Sequence, residues 1–234
     1  MVSLQAYLLK TVTVPEAVAL QRRLAYEVSG DPTTAAVVLC DHPPGIAIGR
    51  HGSRVEILPS DDELAAHEWP VRWLAAGGGA MLHTPGQVAC YPVLPLAPFG
   101  LTPAGYVAEL LRVVAGVVAS FGCEPVVDPT GPTIRVAGRR VCHIGVAVRT
   151  GVTAGGVLLN VTPDLSLFRT IRVGGDRRPM TSLQRECPGA VRPAAVRQRL
   201  LDALESRFAA RLSIFTSVPW QPASHTHAHA AAAR

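Results

Sequence analysis

Lysine is nearly missing from this chain: of 22 lysine and arginine residues only Lys10 is a lysine, so chemistry that needs an amine on the protein has a single candidate. Aromatic residues make up 5% and do not interleave with the arginines, which excludes the stacking platforms of single-strand nucleic-acid binders. The five cysteines, Cys40, Cys90, Cys123, Cys142 and Cys187, show none of the paired spacings of a zinc site or a disulfide framework, and a reducing compartment is expected from that. Met1 to Lys10 is too short and too interrupted for a signal peptide, and no uncharged apolar run approaches the length of a membrane span. A soluble, cytoplasmic protein follows; it is further expected to be a monomer without a metal or cofactor, the C-terminal histidines being the one place where a metal could bind, and without a nucleic-acid or membrane partner.

What is present is a chain of 234 residues, 48% hydrophobic, with a net charge of +5 that permits an acidic partner without choosing one. Residues 1–218 are expected to form one domain, and 219–234, where His225, His227 and His229 precede an alanine run, have no periodic apolar face and are expected to be unstructured. Thr13-Val14-Pro15-Glu16 has the form of a capping box, predicting a helix to about Val28 with Leu20 and Leu24 inward and Gln21, Arg22 and Arg23 facing water. Strands are predicted over Ala35–Cys40, Ile46–Ile48, Pro70–Leu74 and Gln87–Val93, with a short helix near Asp62–His67. Thr102-Pro103 opens an apolar helix that ends at Gly122. Cys123–Val161 reads as several strands with turns at Pro129-Thr130-Gly131 and Thr150-Gly151, and Arg192-Pro193 starts a last helix to about Leu212. Helices and strands do not alternate regularly, so a mixed, mostly antiparallel sheet flanked by helices is expected, an α/β (α+β) class.

The stretch Gly77-Gly78-Gly79-Ala80-Met81-Leu82-His83-Thr84-Pro85-Gly86-Gln87, with Tyr91-Pro92 after it, would let backbone approach a ligand and present an imidazole beside it. It resembles the RGGxxTYHGPGQ…YP pattern of the lipoyl(octanoyl) transferases. Three more segments in the same order are similar to that family: His42-Pro43-Pro44 leading to Ile48-Gly49-Arg50; Gly138 to Val146, against GxKIAAIGV or GxKICAIGV; and Val152 through Asn160 to Thr181-Ser182-Leu183. The resemblance implies the biotin/lipoate protein ligase catalytic fold and a groove shaped by Gly77, Gly78, Gly79, His83, Gly86, Gln87, His143, Ile144, Gly145, Gly156, Val157, Leu158 and Asn160. It also implies octanoyl, acyl carrier protein and lipoyl domains as partners.

In that family a cysteine thiolate attacks the octanoyl thioester and a lysine lowers its pKa. The resemblance puts the cysteine at Gly174 and the lysine at Arg140, which keeps the charge but cannot shuttle a proton. Ala76 stands for the arginine of the glycine motif, Met81 and Leu82 for its threonine and tyrosine, and Gly155 for a downstream histidine. On an extended strand residues two apart share a face, so Cys142 is expected on the cleft side with Arg140 and His143 away from it, making Cys142 the best surviving nucleophile. Family members with ordinary catalytic residues also carry a cysteine there, where it need do no chemistry. His83 either contacts a ligand or bonds to its own turn. Cys40, Cys90 and Cys123 read as core packing, and Cys187 has no assigned role.

Three functions are compatible with these residues. The first is a divergent octanoyltransferase using Cys142 or direct transfer with help from Arg140. The second is a non-catalytic binder of acyl carriers or lipoyl domains, whose acidity suits Arg169, Arg172, Arg177, Arg178 and Arg185. The third is an ATP-dependent lipoate or biotin ligase, which would need a lysine and a basic phosphate loop that this chain supplies poorly.

Overall fold

A computed structural model describes residues 2–128, 131–172, 179–208 and 211–217. Pro129, Thr130, Gly174, Arg177, Arg178 and the tail 219–234, all of which enter the sequence reading, lie outside the described residues.

The centre is a six-stranded mixed sheet. Its strands are β1 (Ser3–Thr11), β2 (Thr34–Asp41), β6 (Gln87–Val93), β10 (Cys142–Arg149), β11 (Val152–Asn160) and β12 (Arg211–Phe215), in the order β10-β11-β6-β2-β1-β12. The four strands from β10 to β2 pair antiparallel, whereas β2 with β1 and β1 with β12 run parallel. Successive side chains leave opposite faces of a strand, and both faces are covered. Leu4, Val37, Leu39, Val88 and Leu159 meet α3 (Pro103–Ala119) and α5 (Pro193–Phe208) on one side. Tyr7, Val38, Ala89, Tyr91 and Leu158 meet α1 (Val14–Gly30) on the other.

A three-stranded sheet, β4-β3-β5, extends this second side. It comprises β3 (Gly45–Ile48), β4 (Val71–Trp73) and β5 (Ala80–His83), and it packs on α2 (Asp61–Ala66) and on Phe168 and Ile171 through Ile46, Ile48 and Leu82. A third sheet joins β7 (Pro125–Val127), β8 (Ile134–Val136) and β9 (Arg139–Arg140).

Local chemistry explains most boundaries. The Thr13 hydroxyl accepts from Glu16 N while the Glu16 carboxylate takes the Thr13 amide, so the expected capping box starts α1. Thr102 caps α3 at Gly105 N with Pro103 in the first turn. Thr150 and Gly151 both have positive φ, 48° and 77°, the paired left-handed conformation of a tight hairpin between β10 and β11.

Three expectations are corrected. Gln21, expected to face water, is 5% exposed, and its Oε1 accepts from Gly155 N at 2.8 Å, tying α1 to β11. The last helix ends at Phe208, and the chain returns as β12. Cys123, read as core packing, and Cys187, given no role, form a disulfide across 64 residues with Cα atoms 5.3 Å apart. It joins the loop after α3 to the end of α4 (Leu183–Glu186), two sites whose sequence spacing carries no pairing signal. The argument for a reducing compartment from unpaired cysteines loses its support.

Candidate functional site

Between α1 and the sheet lies a cavity of about 710 Å³. Ala17, Val18, Gln21 and Ala25 of α1 form one wall, and Leu74, Ala75, Ala76 and Met81 form a second. The floor is Tyr91, His83 and His143, with Gly145 and Gly156 where the backbone lies bare. Arg22, Tyr26, Arg72, Trp73 and Arg149 border the same cavity and are exposed, so an apolar interior opens through a cationic, aromatic rim.

The floor is built by glycines that the neighbouring backbone leaves no room to replace. A Cβ on Gly156 would sit 2.1 Å from the Cys90 carbonyl oxygen, and one on Gly145 would sit 2.6 Å from that of Gly77. Gly155, at φ +75°, has even less freedom: its Cβ would fall 2.1 Å from the Gly145 oxygen. Gly77 to Gly79 do not border the cavity; they are the seam that holds it. Gly77 N donates to Val146 O at 3.1 Å, the Gly78 carbonyl accepts from His51 N, and the Gly79 carbonyl accepts from Gly49 N. At Gly78, φ is +104° and a Cβ would lie 2.7 Å from His143 Nε2, so the turn is moulded around that imidazole.

Three histidines meet beneath the cavity. His42 Nδ1–H donates to Val12 O at 2.7 Å, which leaves Nε2 to accept from the Tyr91 hydroxyl at 2.8 Å. The His83 ring stands edge-on to His42 with centroids 4.9 Å apart, is 2% exposed, and neither of its nitrogens has a hydrogen-bond partner among the described residues. His143 Nε2 is likewise enclosed and unpartnered. Leaving such a nitrogen unsatisfied costs about 1–3 kcal/mol, so a hydrogen-bond partner beyond the described residues would stabilise the site. Burial pushes all three imidazoles toward the neutral form. His83 is held well below the usual histidine range with further help from His42 and His143, and His143 falls to about 4, with the Arg140 charge adding to the effect of burial.

Cys142 and His143 exchange the faces expected of them. Alternation is interrupted at Val141, between β9 and β10, where Val141 N donates to Ile134 O and Val141 O accepts from Asn160 N. Cys142 therefore enters the core with Val141 and Ile144 and is 1% exposed, while His143 joins Gly145 and Ala147 on the cavity face. Burial raises the Cys142 thiol to about 11 and Cys40 to about 12, and Cys90 is raised as well. No free cysteine of the described residues is a ready thiolate.

The other residues expected in the groove divide. His83, His143, Gly145, Gly156 and Leu158 border the cavity, whereas Ile144 and Val157 point into the opposite core. Gln87 and Asn160 are structural: Gln87 Oε1 accepts from Thr84 N, its Nε2 reaches Leu82 O and Asn160 Oδ1, and Asn160 Nδ2 donates to Thr181 O. A Cβ on Gly86 would lie 2.5 Å from the Thr162 backbone, away from the cavity. Arg140 runs beside Met180, its amide donating to Pro179 O and its carbonyl accepting from Thr181 N, and it acts on the site through its charge. Arg22, Tyr26, Arg72, Trp73 and Arg149 escaped the sequence reading, because no spacing links a helix, an edge strand and a hairpin that meet only when folded.

Residues 13–205 match the family model described as the lipoyl protein ligase A/B catalytic domain. An octanoyltransferase of Chloroflexus aurantiacus is 37% identical over 194 residues, covering 81% of this chain and 87% of that protein. The chain belongs to the octanoyltransferase family. A Bacteroides thetaiotaomicron octanoyltransferase is 33% identical over 80% of this chain and 88% of its own length. In fold, the molecule is similar to a lipoate-protein ligase A crystallised with ATP, with a TM-score of 0.78 and 15% identity over 94% of this chain and 90% of that one. A putative lipoate protein ligase from T. acidophilum with bound lipoic acid gives 0.69 and 16% identity over 94% and 91%. These likenesses bear out the biotin/lipoate ligase fold. Ala76, Met81, His143 and Gly155, the positions at which the sequence was expected to depart from the family motifs, all border this cavity.

Proposed function

We propose that this octanoyltransferase-family protein moves an octanoyl or similar medium-chain acyl group from an acyl carrier protein to the lysine of a lipoyl domain. The observation that carries this is the cavity under α1, apolar inside and ringed by Arg22, Arg72 and Arg149 at its mouth. An alkyl chain gains about 0.8 kcal/mol for each methylene it buries, so the walls suit a fatty acyl tail and the rim suits the acidic protein that delivers it.

The buried, raised thiols favour transfer without an acyl-enzyme on Cys40, Cys90 or Cys142. In direct transfer the acceptor amine attacks the thioester carbonyl, the C–N bond forms, the C–S bond breaks, and the proton lost by nitrogen ends on the departing thiolate. The contribution of the protein is then to hold donor and acceptor together and to stabilise charge on the carbonyl oxygen.

Intact mass spectrometry with octanoyl-loaded carrier and a lipoyl domain tests this. The lipoyl domain is expected to gain one octanoyl group while the protein stays unmodified, with Cys142→Ala as active as the wild type. A stable octanoyl adduct lost in Cys142→Ala would instead make that cysteine the nucleophile, and carrier binding without any transfer would make the protein a binder.

A further inference from the structure

We infer that His143 donates a hydrogen bond to the carbonyl oxygen of the bound acyl thioester, as a catalytic residue of this particular chain. The inference rests on the acyl-transfer reading of the cavity and adds to it the group that meets the reacting carbonyl.

Position comes first. The interruption at Val141 turns His143 onto the cavity face, and the next two residues on that face are Gly145 and Ala147, which line the cavity beside it. The imidazole therefore stands beside Gly145 and Gly156 on the cavity floor, where bare backbone from the two strands lines the space next to it. Its Nε2 lies where a Gly78 side chain would be, enclosed and without a partner among the described residues. His83 is sealed more deeply, at 2% exposure, whereas His143 is only half-buried and is the imidazole an incoming ligand meets.

The substitution at 143 agrees with that placement. The family resemblance puts alanine at 143 and histidine at 155, and this chain has the reverse disposition: an imidazole on β10 and glycine on β11. Gly155 pairs with Val146, one rung from the Gly145–Gly156 pair. At φ +75°, with the Gly145 oxygen 2.1 Å from any Cβ, position 155 has no room for a ring, which leaves His143 as the imidazole of these two positions. A neutral imidazole keeps one N–H to donate and need not change protonation during transfer; burial and the Arg140 charge hold it neutral. At the tetrahedral stage the N–H steadies the oxyanion, and His143 ends the reaction as it began.

Two pantetheine ligands separate the inference from the reading beneath it. One is a ketone in which methylene replaces the thioester sulfur of octanoyl-pantetheine; the other is an octyl thioether with no carbonyl. Calorimetry on the full chain is expected to show both binding the wild type. His143→Ala should weaken the ketone by roughly tenfold and leave the thioether unchanged, and His143→Gln, which restores a donor, should recover most of the loss. His143→Leu fills similar volume without an N–H and replaces the alanine variant if that one does not fold. With histidine-selective 15N labelling of the wild type, the ketone but not the thioether should move one imidazole N–H resonance. In turnover, loss of the donor should raise KM by roughly the tenfold lost from the ketone and lower kcat by about a further tenfold, because the bond strengthens on the oxyanion. Equal effects on both ligands, or none on either, would overturn the assignment of His143 while leaving the cavity an acyl site. If neither ligand binds the wild type, the acyl-cavity reading itself falls.

Discussion

His42, His83 and His143 are held neutral inside the fold, and at each the largest cause is burial. The other influences differ: the Val12 carbonyl and Asp41 pull His42 back up, His42 and His143 press further on His83, and Arg140 presses on His143. Their pKa values lie below the ordinary 6.5, so on acidification the unfolded chain takes up protons before the folded one does. Stability is therefore full above pH 6.5 and is lost as pH falls toward the folded value, which for His143 is about 4. A half-buried ring is partly screened, so His143 alone should contribute on the order of 2 kcal/mol of this loss. Paired carboxylates act lower: Glu109, held at about 2 by Arg207, and Glu186, lowered by Arg139, begin to lose their contribution only below the ordinary 4.5. Urea unfolding at closely spaced pH values should show the midpoint falling between 6.5 and 4.5 in the wild type and falling less in His143→Gln. A midpoint flat across that interval would mean that the imidazoles are solvated.

At the scale of elements, what the sequence showed was what depends on neighbours along the chain. The Thr13 box, the Thr102-Pro103 start, the Thr150-Gly151 turn and the span Gln87–Val93 all fell where expected. β1 and β12 were missed because neither carries a distinctive period; each becomes a strand by lying parallel to another, β1 on β2 and β12 on β1. The reversal of Cys142 and His143 had no local signal either, since the break at Val141 is made by hydrogen bonds to Ile134 and Asn160, distant along the chain. The disulfide belongs to the same class. It closes a loop of 64 residues, pinning the end of α4, where Glu186 grips Arg139 one residue from Arg140. Chain-entropy reasoning assigns a loop of that size up to about 4 kcal/mol, and measured values centre on 2–4. Reduction, or Cys123→Ala with Cys187→Ala, should lower the denaturant midpoint accordingly, read by equilibrium unfolding with and without reductant. An unchanged midpoint would show that the bridge constrains nothing the fold does not already hold.

For the whole molecule, charge placement matters more than the net charge of +5. Arg22 from α1, Arg72 from β4 and Arg149 from the end of β10 arrive at one cavity mouth from three elements, with Tyr26 at 80% and Trp73 at 67% exposure between them. A field gathered at the entrance speeds the approach of an acidic protein and weakens with salt, because the screening length is about 8 Å at physiological ionic strength. On the acyl-transfer reading proposed above, a small neutral thioester should feel far less of it, since the apolar walls would carry its affinity. The two substrates should therefore respond differently to one set of changes. Arg22→Glu, Arg72→Glu and Arg149→Glu, combined, should reduce kcat/KM for the carrier-borne acyl group by roughly tenfold or more and leave octanoyl-pantetheine within about twofold. Raising salt should reproduce the first effect in the wild type and add little in the triple variant. Equal losses for both thioesters would place these arginines in the acyl site itself, and no loss for either would move carrier docking to another face, with Arg169, Arg172 and Arg185 the next cluster to reverse.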